Sequence, residues 1–222
     1  MSVTLHPAAT DLKILETVWR NGTPACLSPK ARDLIKVTTT EVRDAAKDTK
    51  PAYEINTGFG KLAPVRISPQ DNETLQRNVV LSNCCWVCDT LDASTVLLMM
   101  TLKPLSLGRR ASGVRWEACA SIEAMLDRGI KPMVPTQDSA GAYGDLAPLA
   151  HMAAVMTGEG ETFFEDKLLP RGIALDKARL SLLVLGLAHI GIELPQNRVR
   201  SGLSIRMSRG VCARTLRSIL NS

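Results

Sequence analysis

Apolar residues recur at spacings of three and four through most of the first 160 positions, the repeat of helices that bury one face. Leu12, Ile14, Leu15 and Val18 form one such stripe and Ala31, Leu34, Ile35 and Val42 a second, with Pro24, Ser28 and Pro29 punctuating between them. A third helix is predicted over 71–83, opened by Ser68-Pro69, with Leu75, Val79 and Leu81-Ser82 facing inward. Residues 94–107 predict a strongly apolar helix kinked or broken at Pro104. Residues 115–126 predict another, closed by Gly129, and 146–156 a further one with Gly158 and Gly160 beyond its end. No alternating strand pattern of any length is present; a short hairpin-like segment is expected around 161–169, at Phe163-Phe164. Two stretches read as irregular. One is 51–69, with Gly58, Gly60 and three prolines; the other is 129–144, with Pro132, Pro135, Gly141 and Gly144. A loop as long as the first is often functional.

At 222 residues, the chain can bury the core of one large domain or two small ones. Its 45% hydrophobic and 22% charged residues exclude a disordered chain, and the scarcity of aromatics (4%) beside many Leu, Ala, Met and Val favours helix over strand. The first residues carry no basic and apolar leader pattern, so no secretory signal is expected. The longest mostly apolar run, 180–194, contains His189 and Glu193 and is too short to span a bilayer. A cytoplasmic location follows as the expectation. The six cysteines have no disulfide-framework spacing. Cys85 and Cys88 alone have C-x-x-C spacing, and with no second pair or nearby His to complete four ligands they read as small helix-borne thiols and not as a metal site.

The net charge of +5 resides in the tail. Residues 187–222 hold six arginines against one glutamate, and the remainder of the chain is balanced. No lysine follows Lys177, and Arg, Ser and Leu fill 16 of the last 36 positions. A division at about residue 180 is therefore expected: 1–180 as one region and 181–222 as a divergent basic tail. Three readings of that tail stay open: an end read in another frame, a basic arm for nucleic acid or an acidic partner, and an ordinary folded end.

Four blocks carry more than packing information. The first is Tyr53-Glu54-Ile55-Asn56-Thr57-Gly58-Phe59-Gly60-Lys61-Leu62-Ala63. The second runs from Leu75-Gln76-Arg77-Asn78 through Leu81-Ser82-Asn83-Cys84-Cys85, and the third is Ser106-Leu107-Gly108-Arg109-Arg110-Ala111-Ser112-Gly113-Val114-Arg115. The fourth is Ser139-Ala140-Gly141-Ala142-Tyr143-Gly144 followed by Asp145-Leu146-Ala147-Pro148-Leu149-Ala150-His151. In this order they resemble the aromatic amino acid ammonia-lyases, and among them the histidine-specific members. The resemblance implies a mainly α chain: the N-terminal helical domain of that fold, truncated before the long central helix bundle. It also implies a homotetramer acting on a small amino acid, and conversion of L-histidine to trans-urocanate and ammonia, the opening step of histidine degradation. Membrane attachment is not expected, nor is nucleic acid as the main partner.

In that family an Ala-Ser-Gly tripeptide cyclises into 4-methylidene-imidazol-5-one, an electrophile that captures the substrate amine. The Gly nitrogen closes a ring on the Ala carbonyl carbon, and loss of the Ser β-hydroxyl gives the exocyclic double bond. Ala142 and Gly144 match the flanking positions, where small residues let the backbone contort. Tyr143 stands in the middle, and its β-carbon bears a phenol ring and no leaving group. The prosthetic group is therefore not expected to form, and the chain is expected to have little or no lyase activity. The family's longer second half adds a substrate-carboxylate arginine and a second tyrosine, so Tyr143→Ser alone is not expected to restore turnover.

By the same resemblance Tyr53 is the candidate general base, which needs its pKa lowered from about 10 to work near neutrality; the plain alternative is a buried, hydrogen-bonded tyrosine. Asn83 stands where histidine-specific members carry a His against the substrate ring. An amide still hydrogen-bonds a ring nitrogen but does not change charge; the plain alternative is a helix-end cap. His151, on an apolar helix, reads as a core histidine before it reads as a ligand. Glu54 and Arg110 replace glycines of the family pattern, and Trp86 and Cys88 replace small residues. A non-catalytic remnant, or an interaction protein using its Arg-rich tail, is the competing reading.

Overall fold

The computed structural model describes residues 2–47, 55–58, 64–68, 70–84, 88–109, 112–137, 146–170 and 172–185. Seven helices and five short strands are described there: β1 (Val3–Leu5), α1 (Leu12–Asn21), β2 (Ala25–Leu27), α2 (Pro29–Lys47), α3 (Asn72–Ser82), α4 (Ala93–Leu107), α5 (Trp116–Asp127), β3 (Lys131–Pro132), α6 (Ala147–Met156), β4 (Thr162–Phe164), β5 (Lys167–Leu169) and α7 (Ile173–Lys177). The chain is mainly α, as the periodicity predicts.

Four helix ends have a clear local cause. Asp11 accepts from the Lys13 amide at the start of α1, and Gly22, in the left-handed region at φ 62°, returns its N–H to the Val18 carbonyl at the end. Ser28 Oγ receives the Ala31 amide at 3.4 Å while Pro29 sits in the first turn of α2. Asp92 caps α4, its carboxylate receiving the Thr95 amide at 2.9 Å and the Thr95 hydroxyl at 2.6 Å. Burial alone would raise the Asp92 pKa, but the hydrogen bonds from Ser94 and Thr95 outweigh it and hold the carboxyl below its ordinary value.

Four features differ from the sequence expectation. β1 and β2 pair in parallel across α1, Val3 opposite Ala25 and Leu5 opposite Leu27; three-residue strands are too short to show alternation. β3 lies in the stretch expected to be irregular and pairs antiparallel with β4. The β4–β5 hairpin falls where expected, turning through Glu165 and Asp166 at φ 50° and 57°. α4 runs through Pro104 to Leu107 without a break; the proline has no N–H for the Met100 carbonyl, and the Gly108 amide closes the last turn on the Pro104 carbonyl at 2.8 Å. α3 turns a different face inward. Asn72, Gln76 and Val80 are buried, Leu75, Val79 and Leu81 are only half-buried, and Ser82 is exposed. The helix packs against α6.

α4, α5 and α6 supply the centre of the core, with Met100, Ile122, Met125, Met152 and Met156 fully enclosed and Leu5, Ile35 and Leu175 packed from other elements. Seven of the ten residues of α6 are buried. Beyond α7, Leu183 and Leu185 still pack into the same cluster, and the Leu183 amide donates to the Met156 carbonyl at 2.8 Å. No helix among the described residues is long and apolar enough to cross a membrane.

Candidate active site

The supports on either side of the motif residues are well defined. Behind the Tyr53 block, Asn56 and Thr57 are buried. Thr57 pairs antiparallel with Arg66, the Gly58 amide donates to the Val65 carbonyl at 2.9 Å, and the Ile67 amide donates to Asn56 at 3.1 Å. A short two-stranded clasp therefore closes this loop. Ahead of the 142–144 triplet, Thr90 pairs with Pro135, the Leu91 amide donates to Val134 and the Thr136 amide to Asp89, both at 2.8 Å. Behind it, α6 starts at Ala147 with Pro148 in its first turn and enters the core at once. Both flanks of the triplet are fixed by main-chain pairing or burial. Tyr53, Glu54, Cys85, Trp86, Arg110, Ala142, Tyr143, Gly144 and His189 lie outside the described residues, as does the chain beyond Leu185.

Asn83 ends α3 as its C-cap residue, half-buried, with Nδ2 donating to the Val79 carbonyl at 2.9 Å. That bond satisfies one of the last helical carbonyls. One of the two Nδ2 hydrogens is thereby engaged on its own helix. Asn72 and Gln76 precede it by eleven and seven residues, on the same side of α3. Asn72 Oδ1 and Gln76 Oε1 are enclosed with no hydrogen-bond partner. α3 thus carries a line of three amides, a pattern hidden in the sequence by the Leu and Val residues beside it. Arg77 Nε reaches Glu159 at 2.9 Å, tying α3 to the turn after α6. His151 lies half-buried on α6.

A second polar group sits inside the fold, unsignalled by any motif. Glu123 of α5 receives the Leu27 amide on Oε1 at 2.6 Å, holding β2 against the core. Burial pushes the Glu123 carboxyl above its ordinary value, with the Leu27 amide and Arg32 opposing. On the same helix, burial pushes the Cys119 thiol up to about 12, with the charge of Glu123 adding and that of Lys103 opposing. A thiol so placed is protonated at neutral pH and is no nucleophile. Among the described residues, no group of three or more His, Cys, Asp or Glu side chains converges to hold a metal ion.

The aromatic amino acid lyase family model matches residues 10–189, most of the chain. The chain belongs to that family. Over 194 residues it is 50% identical to a histidine ammonia-lyase of Roseobacter denitrificans, covering 87% of this chain and 38% of that relative. Among solved structures it is similar to histidine ammonia-lyase from Trypanosoma cruzi, with a TM-score of 0.77 at 27% identity, covering 87% of this chain and 37% of that one. It shares its fold with an ergothionase from Treponema denticola, with a TM-score of 0.82 at 23% identity, covering 87% of this chain and 39% of that one. The chain therefore spans less than half the length of the relatives it matches. The expected family and the mainly α lyase fold are both found.

Proposed function

We propose that this chain is a histidine ammonia-lyase scaffold without its electrophile. By lineage it is built for the conversion of L-histidine to trans-urocanate and ammonia, and as its sequence stands it does not carry out that conversion. The observation behind the second half of the proposal is Tyr143. The family's methylidene-imidazolone needs a β-hydroxyl on the middle residue of the triplet, and Ala142-Tyr143-Gly144 offers none. The residues present do not fit the group, and no catalytic step is assigned through it.

Within the proposal, Ala142 and Gly144 keep the ring-forming positions and Tyr53 keeps that of the general base. Asn83 is the substrate contact. Its carbonyl oxygen is an acceptor that suits an imidazole N–H, and one Nδ2 hydrogen is bound to the Val79 carbonyl. The 50% identical relative supports histidine over other aromatic amino acids as the ancestral substrate, while an amide in place of a titrating ring favours no particular charge state of that substrate. A homotetrameric assembly and a cytoplasmic setting belong to the same reading, as does a divergent basic tail over 181–222. The test is direct. Purified protein incubated with L-histidine is followed by the ultraviolet absorbance of urocanate. The proposal expects no product above a protein-free control, and sustained urocanate formation overturns it.

A further inference from the structure

We draw no further inference here: the strongest candidate, the open groove between the Glu117, Ala120, Ser121 and Ala124 side of α5 and residues 180–184, where Leu182 and Val184 stand exposed, is an apolar face for which nothing in the structure shows what covers it.

Discussion

Replacing Glu123 separates two effects that the structure places on one carboxylate. Its Oε1 is the acceptor for the Leu27 amide at 2.6 Å, across 96 positions of sequence. Glu123→Ala removes that acceptor and leaves a main-chain N–H of a core-facing strand without a partner. A hydrogen bond to a charged group contributes about 1.5–3 kcal/mol, and an orphaned buried donor costs about 1–3 kcal/mol. The Ala variant is therefore expected to lose about 2 kcal/mol, which at a urea m-value of about 2 kcal/mol/M lowers the unfolding midpoint by about 1 M. Glu123→Gln keeps an oxygen for Leu27 and removes the charge. Because the folded carboxyl titrates above its ordinary value of 4.5, the wild-type side chain contributes most below that value and loses stability as pH rises through the folded pKa. The Gln variant has no such loss, so its stability relative to wild type rises between acidic and neutral pH. Urea unfolding followed by tryptophan fluorescence at several pH values reads both effects. Equal destabilisation of the Ala and Gln variants at every pH would refute the reasoning, since the oxygen offered to Leu27 would then contribute nothing.

Two further substitutions test the packing. Gln76→Met removes an enclosed oxygen with no partner at nearly constant volume; it is expected to stabilise by about 1 kcal/mol in urea unfolding, and a loss of that size would show that Gln76 is satisfied in solution. Gly113→Ala places a Cβ into Val42 Cγ2 at a residue with φ 60°, so a cost above about 1 kcal/mol and a Tm lower by a few degrees are expected; an unchanged Tm would contradict that geometry.

Much of this was legible in the sequence. Apolar spacing marks α1, α2, α5 and α6, Gly129 and Gly158 mark the ends of the last two, and the four motif blocks mark the family. What was hidden was set by contacts distant in the chain. β1 and β2 have three residues each and exist because α1 brings them side by side. β3 forms because β4 arrives beside it 31 positions later. Periodicity ranks Leu75 and Val79 above Asn72 and Gln76, yet the buried side of α3 carries the two amides with Val80. Asn83 ends α3 as the pattern expects, and one of its Nδ2 hydrogens caps the Val79 carbonyl. Glu123 had no signal, because its partner is a main-chain amide and not a side chain.

The central claim concerns one triplet, and the mass of the proteolytic peptide spanning residues 142–144 tests it most directly. The account predicts the unmodified mass of Ala142-Tyr143-Gly144 within that peptide. A peptide lighter by one water, or by one water and two hydrogens, with the loss mapped to these residues by fragmentation, would mean that the triplet cyclises despite Tyr143 and would contradict it.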